Sequence, residues 1–226
     1  MTLSTPLLAD GPLSRLRGLT WPVLLIFGLC LGPEIWLSGA DYGLWGHAND
    51  RQWAFEYLGF WAGLLDGWLP NYASQPWLMF VTYGFLHGGL VHFGLNMLTL
   101  FSLGPPVVRV AGTWRFLLCY ALLLVAGGAG FALFPILQAP MVGASGALFG
   151  LAGMILCWVY QRSHSRHRSI KPVLKTVAMI VVLNAALWAA MDGQLAWQTH
   201  LGGFVAGWAL ALSMPFAYGH TIRLMG

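Results

Sequence analysis

Charge is what this sequence has least of. Asp, Glu, Lys and Arg make up 8% of its 226 residues, where a soluble domain carries about a quarter. That scarcity excludes a large solvated globular domain. Cysteine is also scarce. The three cysteines, Cys30, Cys119 and Cys157, all lie in apolar runs. They read as small buried hydrophobes, with no disulfide and no redox role. His-Glu-x-x-His does not occur, which removes a zinc peptidase helix. No pair of membrane aspartates is present, which removes an aspartyl intramembrane protease. The histidines are scattered and lack carboxylate partners, so no metal and no cofactor is expected.

What the chain has instead is apolar length. Hydrophobic residues make up 58%, with 12 Trp and 29 Gly. Residues 1–20 form an N-terminal segment with Arg15 and Arg17 just before the first apolar run. That run, 21–37, is a first span whose outer end is expected at Pro33 and Glu34. It lacks a small-residue cleavage site and further spans follow, so it is not read as a signal peptide. An outer loop of about 38–88 holds Trp53, Phe55, Tyr57, Phe60, Trp61 and Trp68, rings suited to a bilayer interface. The run 77–110 is too long for one span of about 20 residues. Counting back from Arg109 gives a second span at 89–109 and leaves 77–87 with the interfacial segment. The remaining spans are expected at 116–136, 141–160, 172–191 and 195–216, with a tail at 217–226.

Charge then sets the orientation. With six spans and a cytoplasmic N-terminus, ten of the eleven Lys and Arg residues fall inside and only Arg51 lies outside, as the positive-inside rule requires. The expected fold is therefore all-α: a polytopic membrane protein of six transmembrane helices, N-in and C-in, with 21–216 as its membrane domain. His164 and His167 in the basic inner loop, and His220 in the tail, read as solvated. The short N-terminal segment without an evident transit peptide favours a bacterial plasma membrane. Membrane lipid is an expected partner and nucleic acid is not. The sequence does not state an oligomeric state.

Polar groups in hydrocarbon are expensive and are functional candidates by default. His92, Asn96, Ser145 and His200 all fall early in the spans that start outside, roughly 5–12 Å below the outer ends at 1.5 Å per residue. Each alone has an ordinary structural reading. Together they converge on one depth. Gly146 and Gly150 form a Gly-x-x-x-Gly step on the fourth span, and Gly203 and Gly207 form one on the sixth. Such steps let backbones approach closely. That approach would bring the Ser145 hydroxyl within about 3 Å of a His200 nitrogen. His92 and Asn96, at i and i+4, share a face. With the Ser145 N–H they can bind the oxyanion of a tetrahedral intermediate. Phe149, one turn after Ser145, can stack on His200, or can equally be a core or lipid-facing ring. His87 is off the His92 face and is expected to be structural. Asp192 is a loop residue, so the base has no third acid and is oriented by packing.

At this point the sequence resembles the rhomboid family of intramembrane serine proteases. The matching pieces are Gly143-Ala144-Ser145-Gly146 with Gly150, His87-x4-His92-x3-Asn96, and His200-x2-Gly203-x3-Gly207, in the family's order on spans two, four and six. The resemblance implies a nucleophilic Ser145, a general base His200 and an oxyanion hole that includes His92 and Asn96. It also implies cleavage of other membrane proteins near the outer ends of their transmembrane helices, without a cofactor. Three positions depart from the usual pattern. Thr199 stands where the family usually has Ala. Phe149 stands where many members have Tyr, and Trp77-Leu78 where many have Trp-Arg in the first outer loop. The last departure concerns loop anchoring, not chemistry. The alternatives are an inactive rhomboid-like protein that binds membrane clients, and a small transporter. Inactive relatives lose the serine or the histidine, and both are present. A transporter would need polar groups in the inner leaflet, where these spans have few.

Overall fold

The structure is a computed structural model that describes residues 21–135 and 139–214. The segment 1–20, the tail with His220, and the last residues expected for the third and sixth spans lie outside the described residues. Among those described there are eight α-helices and no strand. They are α1 (Trp21–Asp41), α2 (Asp50–Leu58), α3 (Gln75–Thr82), α4 (Leu90–Ala111), α5 (Thr113–Leu133), α6 (Ser145–Ser165), α7 (Lys171–Ala190) and α8 (Trp197–Ser213). Two short 3-10 turns, Ala62–Leu65 and Tyr83–Phe85, interrupt the loop between α1 and α4.

Each of the six expected spans is a helix. Four of them, α1, α4, α5 and α7, are long and apolar enough to cross a bilayer by length and composition. The other two, α6 and α8, pack on one another. The contact between α6 and α8 is the most extensive in the fold, followed by that between α5 and α8. α6 carries several glycines and a polar last turn, and α8 is 17 residues long. By contrast α7 has one buried residue, Val173, against eight on α5. Its Met179, Val181, Val182, Leu183 and Leu187 are exposed apolar side chains.

Glycine makes the inner contact possible. A Cβ on Gly203 would collide with the carbonyl oxygen of Gly146, and one on Gly207 with that of Gly150. The two Gly-x-x-x-Gly steps thus face one another turn by turn. A second glycine contact was not evident in the sequence: Gly130 of α5 meets Gly202 of α8 backbone to backbone. Around this centre Leu123, Leu124, Phe131, Leu148, Leu151 and Met154 are fully buried.

Two boundaries differ from expectation. α1 does not end at Pro33 and Glu34 but continues to Asp41 with Pro33 inside it. Glu34, Ser38 and Asp41 lie along one face of that extension, and Arg51 binds all three. Also, α6 begins at Ser145 rather than at 141, so Ser145 opens its helix instead of sitting a turn inside it. The segment before it is extended. Phe60 and Met141 exchange backbone hydrogen bonds of 3.0 Å, and Gly143 N–H donates to Tyr83 O at 3.0 Å. Gly143 has φ +123°, a conformation only glycine adopts readily.

The loop between α1 and α4 is well organised. Gln75 donates to Glu56 O at 2.7 Å, Tyr72 to Tyr57 O at 2.9 Å, and Thr82 to Leu58 O at 2.6 Å. Its aromatic rings divide in two. Phe60 and Tyr83 are buried, while Trp53, Trp68 and Trp77 are exposed, as is Leu78 beside Trp77.

Candidate active site

The ends of α6 and α8 bring Ser145 and His200 together. Ser145 Oγ lies 2.8 Å from His200 Nε2. Ser145 is half-buried and His200 is buried. The ring of Phe149, one turn along α6, lies against His200 with centroids 4.1 Å apart and planes 3° from parallel. The imidazole is thereby fixed in its plane. Of the two readings of Phe149, the stacked one describes its contact.

The far side of the imidazole has a partner that the sequence reading missed. His200 Nδ1 lies 2.6 Å from Asn184 Oδ1, on α7. Asn184 Nδ2 donates to Ile180 O at 3.0 Å. A signal for Asn184 was present. It is a polar residue within an apolar run, six residues or about 9 Å from the end of its helix, a depth like that of the other polar groups. It belongs to no motif.

His92 approaches from α4. Gly88 N–H donates to His92 Nδ1 at 3.2 Å. A neutral imidazole accepting at Nδ1 carries its proton on Nε2, so Nε2–H is a donor. It faces the space beside the hydroxyl: a methyl added at Gly143 would stand 2.9 Å from His92 Nε2 and 3.8 Å from Ser145 Oγ. As the first residue of α6, Ser145 has an N–H with no intrahelical acceptor, and the helix dipole there favours negative charge. Asn96 is buried on the same helix as His92, but its Nδ2 donates to His92 O at 2.9 Å, and its Oδ1 is buried without a partner. It makes no hydrogen bond to Ser145 or His200 among the described residues.

His87 is closer to this site than its helical position suggests. It is buried, with its ring 5.2 Å from that of His92 and 5.5 Å from that of Phe93. Its carbonyl accepts from Arg51 Nη1 at 2.5 Å. Arg51 Nε also bonds Asp41 at 2.6 Å, and its Nη2 bonds Glu34 at 3.1 Å. One peptide unit, between His87 and Gly88, therefore takes a charged hydrogen bond at its oxygen and gives one to His92 from its N–H. Polarising the carbonyl strengthens the N–H as a donor, so Arg51 steadies His92 at one remove.

The remaining expected residues are placed as follows. Gly146, Gly150, Gly203 and Gly207 form the α6–α8 contact, and Gly143 holds the turn beneath the His92 ring. Thr199 is buried, with its hydroxyl against Gly127 and Gly146 beside that of Tyr83. Asp192 lies in the turn after α7, with φ +49°. Cys30, Cys119 and Cys157 are free and buried in α1, α5 and α6.

Comparison with known proteins places the chain in a family. The Rhomboid domain family model matches residues 74–215. The chain is 33% identical over 156 residues to Rhomboid protease GluP of Bacillus subtilis, covering 68% of this chain and 29% of that one. It is 33% identical over 144 residues to Rhomboid-type serine protease 2 of Emericella nidulans, covering 62% and 27%. It is 31% identical over 198 residues to Rhomboid protein 1, mitochondrial, of Saccharomyces cerevisiae, covering 83% and 52%. The chain thus spans less than a third of the length of the first two relatives. The matched region includes α3 to α8, and with them His87, His92, Asn96, Ser145, Phe149, Asn184 and His200. The chain belongs to the rhomboid family of intramembrane serine proteases.

Proposed function

We propose that this chain is an intramembrane serine endopeptidase that cleaves other transmembrane proteins near the outer face of the bilayer. The observation that carries the reading is the 2.8 Å contact between Ser145 Oγ and His200 Nε2 at the facing ends of two glycine-packed helices. All six long helices span in this reading. Both termini face the cytoplasm and the site opens outward. The exposed tryptophans of the loop between α1 and α4 rest at the outer interface.

The chemistry follows from the geometry. His200 Nε2 takes the Ser145 proton as Oγ attacks the scissile carbonyl carbon. The carbonyl oxygen becomes an oxyanion, bound by the Ser145 N–H and His92 Nε2–H. Asn96 joins them when its amide turns from His92 O toward the site. The imidazolium then protonates the leaving amine as the C–N bond breaks, leaving an acyl-enzyme on Ser145. Water, deprotonated by His200, releases the acid and regenerates the serine. A substrate helix entering from lipid must unwind to expose its peptide bond, so small or helix-breaking residues near the cut are favoured.

The test is cleavage of a model transmembrane substrate in proteoliposomes. Ser145→Ala should lower the rate by at least about a thousand-fold. Cleavage by that variant at the wild-type rate would contradict the proposal. Client binding by a wild-type protein that cleaves nothing would establish the inactive reading instead.

A further inference from the structure

We propose that Asn184 is the positioning residue for the base, and that through it the dyad depends on α7 being seated. The inference rests on the reading of His200 as the base. For Nε2 to receive the Ser145 proton, it must be the bare nitrogen, and the ring proton must sit on Nδ1. Asn184 Oδ1, at 2.6 Å from Nδ1, is the acceptor that selects this tautomer.

The orientation of the amide is itself fixed. Its Nδ2 donates to Ile180 O at 3.0 Å, within α7. The flipped amide would set its oxygen against the Ile180 carbonyl oxygen and lose that bond, so the amide stays with its oxygen toward His200. When His200 becomes an imidazolium, the Nδ1–H bond to Asn184 persists and strengthens, because its donor is then charged. A neutral amide does this without placing a second ion in hydrocarbon. The base is thus oriented on one edge by Asn184 and on its face by Phe149.

The second part comes from where Asn184 sits. α7 has one buried residue, Val173, in its first turn, and exposed apolar side chains along the rest. Among the described residues, the Asn184–His200 bond is the hydrogen bond that joins α7 to another helix. Moving α7 outward by even an ångström or two would break it. His200 would then be free to take the other tautomer, with Nε2–H facing the serine and no base present. Proteolysis is therefore confined to molecules in which α7 is docked.

The experiment uses the full chain in proteoliposomes, with histidine labelled by 15N. The variants are Asn184→Leu, similar in size and without an acceptor; Asn184→Ala, which guards against a steric clash of that leucine; and Asn184→Asp, which keeps an acceptor in place. Three readouts are taken: labelling of Ser145 by a fluorophosphonate, kcat and KM on the model substrate, and the His200 nitrogen shifts. Leu and Ala should lower kcat and the labelling rate by about ten- to a hundred-fold, with KM within about twofold. Their His200 shifts should move from a single Nδ1–H tautomer to a mixture. Asp should retain most of the rate and the tautomer. Leu and Ala variants labelled as fast as wild type would overturn the proposal. So would an Asp variant as slow as Leu, or His200 shifts that no variant changes. A wild-type chain that is itself never labelled would instead overturn the dyad, while the tautomer would still report on Asn184.

Discussion

Two histidines in this site need opposite tautomers. His200 must carry its proton on Nδ1 to act as a base, and His92 must carry its proton on Nε2 to act as a donor. Neither choice is made by the imidazoles themselves. Asn184 Oδ1 makes the first and the Gly88 N–H makes the second. The meeting of Ser145 and His200 was legible in the sequence because each sits among glycines in an ordered motif. The tautomers were not, because Gly88 and Asn184 act through a backbone amide and a lone polar side chain. The turned-back amide of Asn96 was not legible either, since it depends on a local bond to its own helix. Phe149 provides a test at this scale. Phe149→Leu keeps bulk and loses the stacked ring, a contact worth about 0.5–1.5 kcal/mol. It should lower kcat by roughly three- to ten-fold, with Phe149→Tyr close to wild type in the same cleavage assay.

The glycine steps on α6 and α8 were legible as a spacing and are contacts in the structure. Their consequence is a backbone approach that no side chain can replace. Gly203→Ala puts a methyl into the Gly146 carbonyl, so the helices must separate. The expected cost is at the upper end of overpacking, about 3 kcal/mol, together with loss of cleavage. Gly94→Ala has nothing within 4 Å of the new methyl and should be neutral in both thermal unfolding and activity. The α5 glycine contact is not legible, because Gly130 meets Gly202 without a Gly-x-x-x-Gly step of its own. The length of α1 is not legible for a different reason. A proline and a glutamate read as a helix end, but Arg51, far along the chain, binds the face they continue. Arg51→Ala leaves Glu34, 1% exposed, without its ion-pair partner. Breaking a buried pair costs about 3–5 kcal/mol. A lower unfolding temperature in detergent should accompany weaker oxyanion binding, seen as a fall in kcat.

For the whole molecule, the order of the six long helices was legible from apolar run length. That α7 buries only Val173 was not, because packing against protein and exposure to lipid select similar apolar residues. Stability should also depend on pH through His87, in the loop just before α4. Burial pushes its pKa down to about 3, and the charges of His92 and Arg51 act in the same direction. Unfolded, it titrates near 6.5. Between those values the unfolded chain binds the extra proton, so stability falls as pH drops through that window. His87→Phe should flatten the slope of unfolding temperature against pH between about 6.5 and 4; an unchanged slope would place the proton elsewhere. The central claim is that Ser145 is a nucleophile made reactive by His200. It is tested most directly by fluorophosphonate labelling of the purified protein, with the adduct located by mass spectrometry. One adduct on Ser145, lost in His200→Ala, is the predicted result. An adduct on another residue, or labelling of Ser145 that does not depend on His200, would contradict it.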